Sequence, residues 1–194
     1  MLTTDSVVEW LKSRNVCELT NLTMDGRSDY RFREVYNILE NFRIIEKLVI
    51  PVDIDFSSIP HRIPSNLRIF VSYDCYRLKL NDLYTMNPEI CYLSDSWFTS
   101  EDLNQFLKAW LNGKVNSRLK YFECLSKVRR IERFSVLEGI DGVEERRVEL
   151  KRSCRLDDIG VVNFAGGFDV RRCHDGVLAT ITWSPMFRMI VWTS

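Results

Sequence analysis

Five short apolar runs recur along the first two thirds of the chain, beginning at Leu19, Ile45, Leu67, Ile90 and Leu119, with helix-like stretches lying between them. Each run has the loose form Leu-x-x-Leu-x-Leu, and successive starts fall roughly 22 to 29 residues apart, the size of a unit supplying one strand and one helix. A unit that small cannot bury its own apolar face. Several must therefore stack side by side, with strands forming one parallel sheet and helices the outer layer.

The unit written out most fully lies between the fourth and fifth runs. Thr99 is a capping residue, and Asp102 three positions later completes a capping box while favouring the positive end of the helix dipole. Leu103, Phe106, Leu107, Trp110 and Leu111 follow at offsets of three and four, so they share one face, while Glu101, Gln105, Lys108 and Asn112 share the other. Gly113 supplies a left-handed stop. Strand-like stretches at Glu89 to Ser94 and Leu119 to Leu125 flank this helix.

Earlier in the chain, Asp5 to Ser13 reads as a first helix and Leu19 to Met24 as a strand. Tyr30 to Phe42 reads as a second helix, Ile45 to Ile50 as a strand stopped by Pro51, Leu67 to Val71 as a β-rich run, and Leu80 to Met86 as a short helix. Past Leu125 the pattern changes. Charged residues of both signs crowd Lys127 to Arg152, Gly166-Gly167 reads as a bend, and Phe168 to Arg172, Leu178 to Trp183 and Phe187 to Trp192 read as strands. Between the first two of these, His174-Asp175-Gly176 predicts a tight type I′ turn. The expected architecture is α/β: a short leucine-rich-repeat-like solenoid over residues 1–134, closed by an antiparallel β cap over 135–194 and packed with it as one unit.

Trp97, Thr99, Ser100, Glu101, Asp102, Leu103, Asn104, Phe106, Leu107, Lys108, Trp110 and Gly113 together resemble the most recognisable stretch of the nematode F-box-associated domain, type 2. Further points of likeness are Ile63, Pro64 and Leu67, the helix start at Leu80 to Leu83, and the ending Phe168 to Arg172 with Gly176, Ala179, Thr180 and Ile181. The resemblance implies a protein-substrate-recognition region that works beside an F-box, the helical module that docks on the Skp adaptor of a cullin ubiquitin ligase. Only the short helix Asp5 to Ser13 precedes the first strand-like run. The expectation is therefore either part of a longer protein or a member without that module, which would act as a stand-alone interaction or sequestering protein.

A formal net charge of zero, from 27 basic and 27 acidic residues, argues against a chain-wide grip on nucleic acid or anionic lipid. No long uncharged apolar window predicts a membrane span, and the start carries no targeting signal. Six cysteines are scattered rather than paired in metal-binding spacings, so neither a zinc site nor a disulfide framework is expected. Cys17, Cys91 and Cys124 read as small hydrophobes, which fits a reducing cytoplasmic or nuclear setting. The interleaved basic and acidic residues around Lys127 to Arg133 read as a solvated surface. Trp97, Trp110, Trp183 and Trp192 read as core anchors in preference to interface ones.

Catalysis has little to rest on. His61 lies between prolines, and Cys173 and His174 are strand neighbours that point to opposite faces. No enzyme activity, cofactor or metal is expected. If the strands keep the register of the repeat, Asn21, Thr23, Lys47, Val49, Tyr92, Ser94, Tyr121 and Glu123 point to one open face and are the candidate partner contacts.

Overall fold

The structure, a computed structural model, describes residues 4–24, 32–51, 54–56, 64–127, 131–156, 158–183 and 186–192. It is an α/β fold built on one large, open, mixed sheet. In chain order the elements are α1 (Thr4–Ser13), β1 (Glu18–Thr23), α2 (Phe32–Asn41), β2 (Arg43–Ile50), β3 (Ile69–Ser72), α3 (Leu80–Met86) and β4 (Ile90–Ser96). These are followed by α4 (Ser100–Leu111), β5 (Tyr121–Ser126), α5 (Arg133–Leu137), β6 (Glu144–Leu156), β7 (Gly160–Arg171), β8 (Leu178–Thr182) and β9 (Phe187–Trp192). The strand order is β1-β2-β3-β4-β5-β9-β8-β7-β6. The first five strands lie in chain order and every neighbouring pair is parallel. From β5 onward all pairings are antiparallel.

All five repeat-like runs thus fall on or beside β1 to β5. Alternation along these strands sends Leu48, Phe70, Leu93 and Phe122 to one face, where each is fully buried. Val35 and Leu39 of α2, Leu83 and Met86 of α3, and Phe106 and Trp110 of α4 meet them in a single core. The core continues under the antiparallel strands through Val170, Ile181, Phe187 and Met189. Tilted and edge-to-face rings tie its two halves together, with Phe122 4.8 Å from Phe106 and 5.6 Å from Phe187 between centroids.

Helix α4 follows its sequence signals closely. The Thr99 hydroxyl accepts from the Asp102 amide at 3.2 Å, and the Asp102 carboxylate accepts from the Thr99 amide at 2.9 Å. Gly113 stands at φ +68°, and the five apolar residues of the buried face are all buried. Helix α2 covers the described part of its expected span except Phe42, which follows its end; Tyr30 lies outside the described residues, as do His61 and Ile63.

Several expectations need correction. Cys91 and Cys124 are buried as expected, and burial pushes the Cys124 thiol up to about 12, but Cys17 is exposed at the sheet edge just before β1. Trp110 is a core residue, whereas Trp97 is 58% exposed, beside Tyr76 at the end of β4. The turn between β7 and β8 is not a two-residue type I′ turn. Arg171 pairs with Leu178, the Arg172 amide donates to the Val177 carbonyl, and of Cys173 to Gly176 only Gly176 has a positive φ. The longer loop is held by side chains: Arg172 donates from Nε to Asp175 Oδ1 at 3.0 Å and from Nη2 to Oδ2 at 2.6 Å.

That loop also fastens the C-terminal strands to α4. Arg172 is buried, its guanidinium lies 5.1 Å from the Trp110 ring centroid, and its Nη1 donates to the Ser117 carbonyl at 3.3 Å. The Cys173 amide donates to the carbonyl of Leu111, and the His174 ring fills the space where a side chain on Gly113 would stand.

Candidate functional site

The face of the sheet opposite the helices is closed differently. Residues Glu144 to Leu156, which carry charges of both signs and in which Arg152 interrupts the apolar row Val148, Leu150, Cys154 and Leu156, form the edge strand β6, and with β7 they make a long hairpin that bends over the parallel strands. The bend is at Gly166-Gly167, inside β7, whereas the sequence predicts a bend leading into a strand that starts at Phe168. Arg146 pairs with Gly167 and Lys151 with Ala165, so four residues of β6 stand opposite Gly166 alone, a large bulge that turns the strand sharply. Gly167 has φ +102°, and a Cβ there would lie 2.4 Å from the Ile181 carbonyl oxygen. No other residue type fits without displacing the backbone.

A polar network locks the bend. Arg146 Nη1 donates to Asp169 Oδ2 at 2.8 Å, Thr180 donates its hydroxyl to Asp169 Oδ1 at 2.5 Å, and Trp192 Nε1 donates to Thr180 Oγ1 at 2.8 Å. Arg152, beyond the bend, lies with its guanidinium 5.3 Å from the Trp192 ring centroid. The folded-back part then lays Leu156, Val162 and Phe164 on Ile69, Ile90, Tyr121 and Ile190. At its tip Asp158 is gripped by Arg68, which also donates from Nε to Glu46 at 2.8 Å. These tip contacts are half-exposed, so each stabilises modestly, while the apolar contacts supply most of the hold.

Beyond the hairpin tip the sheet face stays open as a groove of about 470 Å³. The space is within the range that small ligands or single anchoring side chains occupy. Two rows of strand residues form its floor. One runs across Lys47, Ile69, Ile90 and Tyr121, the other across Val49, Val71, Tyr92 and Glu123. Thr23 and Tyr73 stand at the margins, and Asp158 with Ile159 forms the wall.

The polar groups are concentrated toward β5. Tyr121 is buried and donates its hydroxyl to Glu123. Burial first, and then this hydrogen bond, push its phenol well above the ordinary tyrosine range, so it remains a donor that fixes the carboxylate. Arg188 of β9 lies 3.8 Å from the same carboxylate, beyond hydrogen-bonding distance. Burial, followed by the charge of Glu123, raises the Tyr92 phenol as well. Its ring centroid is 6.1 Å from that of Tyr73, at 59°.

Of the eight expected contact residues, Thr23, Lys47, Val49, Tyr92, Tyr121 and Glu123 line this one groove. Asn21 pairs with Lys47 and is exposed, and Ser94 lies two residues beyond Tyr92 and is half-buried; both stand outside the lining. Sequence reasoning missed Ile69, Val71, Tyr73 and Ile90, although Leu67-x-x-Phe70 has the form of the other runs and turns Ile69 and Val71 outward by the same signal. Nothing local marks Asp158 and Ile159 as the wall. The other chemical candidates sit apart, with Cys173 and His174 in the exposed loop against α4, where His174 Nε2 lies 3.4 Å from Asp175.

No curated protein and no solved structure matches this chain. Residues 58–124 match the model of the F-box associated family, a stretch that contains α3, α4, β3 and β4 and reaches into β5, and so carries most of the groove floor.

Proposed function

We propose that this chain is a non-enzymatic protein-recognition module that holds a protein substrate on its sheet face, in the manner of the substrate-binding region of a ubiquitin-ligase F-box protein. The observation that carries this reading is the coincidence of the groove with the family match: Ile69, Val71, Ile90, Tyr92, Tyr121 and Glu123 all lie within residues 58–124. Read as a short leucine-rich-repeat-like solenoid, the run β1 to β5 presents alternate side chains on a rigid surface, and such surfaces bind proteins through shape and a few aromatic anchors. Tyr73 and Tyr92 are those anchors here. The setting that fits is cytoplasmic or nuclear, with the Skp adaptor and cullin as partners where an F-box accompanies this region. Neither nucleic acid nor membrane is part of the reading.

The test is a photo-crosslinking amino acid placed at Tyr73, which is half exposed, followed by mass spectrometry of what is captured in cells. A specific protein should be captured, and Val71→Arg, which fills the groove, should abolish the capture without lowering the melting temperature by more than a few degrees. Capture that is indifferent to Val71→Arg would place the partner elsewhere. Recovery of the same partner without the Skp adaptor from the full-length protein would favour a stand-alone sequestering role.

A further inference from the structure

The groove is electrically lopsided. Lys47 stands on β2 at one end, Glu123 on β5 at the other, and the residues between them on the floor are aliphatic or aromatic. The remaining charged group of the lining, Asp158, is held by Arg68. A carboxylate has about four acceptor positions. The Tyr121 hydroxyl fills one of those on Glu123, and Arg188 forms an ion pair with it at 3.8 Å, beyond hydrogen-bonding distance, so acceptor positions remain on a carboxylate that lines the groove. Beside it, the Tyr73 and Tyr92 rings offer two tilted faces of the kind that attract a cation.

The separation of the two charges follows from the register. Three strand spacings of about 4.8 Å lie between β2 and β5, and Glu123 is two residues further along its strand, giving roughly 16 Å between the backbones. An extended peptide covers that distance in about four or five residues.

We propose that the groove takes an extended peptide segment in which an acidic and a basic side chain stand about four residues apart around an apolar one. The acid meets Lys47, the apolar side chain lies on Val71 against Ile159, and the base meets Glu123 beside the rings of Tyr73 and Tyr92. This rests on the recognition reading above and specifies the chemistry that the partner must carry. Charges of this kind fix register and exclude wrong partners more than they add affinity.

The probe is a fluorescein-labelled nonapeptide with Glu and Arg four residues apart around a central Leu on a Gly-Ser background, followed by fluorescence polarisation. Against a peptide with both charges replaced by Ser, the mixed-charge peptide should bind about tenfold more tightly. Lys47→Ala should erase that advantage, and Lys47→Glu should transfer it to a peptide in which Lys replaces the Glu. Glu123→Gln should weaken binding of the Arg-bearing peptide. Equal binding of all the peptides, no binding of any of them, or a preference that survives Lys47→Glu would each overturn the proposal. If Val71→Arg still blocks cellular capture while the charge variants capture normally, the charge inference fails and the groove reading stands.

Discussion

The two faces of the sheet are closed by different means. On the helix side, Leu48, Phe70, Leu93 and Phe122 are covered by helices that sit next to those strands in the chain, and they reach full burial. On the other side, Ile69, Ile90 and Tyr121 are covered by a hairpin from a distant part of the chain, and Val71, Tyr73 and Tyr92 are left partly open. Local cover produces a sealed core, whereas distant cover leaves a margin where something else can bind. Stability and recognition are in this way assigned to opposite surfaces of the same strands.

The contrast is broken most directly by truncating one side chain from each face. Phe122→Ala removes a fully buried ring that packs on both Phe106 and Phe187, and should cost about 3–5 kcal/mol in urea unfolding. Val71→Ala, on the open face, should cost under about 1 kcal/mol. Equal losses at the two positions would mean that the groove floor is as much core as the helix side.

A smaller effect is expected at the hairpin bend. Gly167→Ala forces a methyl group against the Ile181 carbonyl at a φ that side chains rarely adopt, and should cost about 1–3 kcal/mol. The loss should appear in hydrogen exchange first at β6 and β7, with β4 and α4 protected as in the parent protein. Uniform loss of protection across the sheet would show that the hairpin is part of the cooperative core.

The smallest expected effect concerns acid. The hydrogen bond from Arg172 brings the Asp175 carboxyl down to about 2. An unfolded aspartate titrates near about 3.9, so the contribution of this pair is complete above that value and is lost as the pH falls toward 2. Asp175→Asn should therefore flatten the decline of urea stability between about pH 4 and pH 2. An unchanged decline would remove Arg172 and Asp175 from the account of how the C-terminal strands are fastened to α4.

The same division between local and distant explains what could be read from the sequence. Thr99, Asp102 and Gly113 mark the ends of α4 by chemistry contained within one helix, and the structure keeps all three roles. The alternation of β1 to β5 is likewise local, and because it sets the faces, it brought six of the eight proposed contacts into one groove. Strand β6 was hard to read for a physical reason: Val148, Leu150, Cys154 and Leu156 alternate with polar residues, but Arg152 interrupts the row, and the charges that suit a sheet edge mask the strand signal. The bulge between Arg146 and Lys151 is set by pairing with distant Gly166. Trp97 was misjudged because its burial depends on what lies past the end of β4, which spacing within the chain does not reveal.

The strand order has a consequence for synthesis. β1 to β5 can be laid down one after another as the chain emerges, but the neighbour of β5 is the last strand, Phe187–Trp192. Until that strand has left the ribosome, the exposed margin of β5 has no mate and Phe122 lacks the ring of Phe187. The middle of the molecule is thus the last part to be completed, and a nascent chain must carry an unfinished seam through its centre while β6, β7 and β8 are being made.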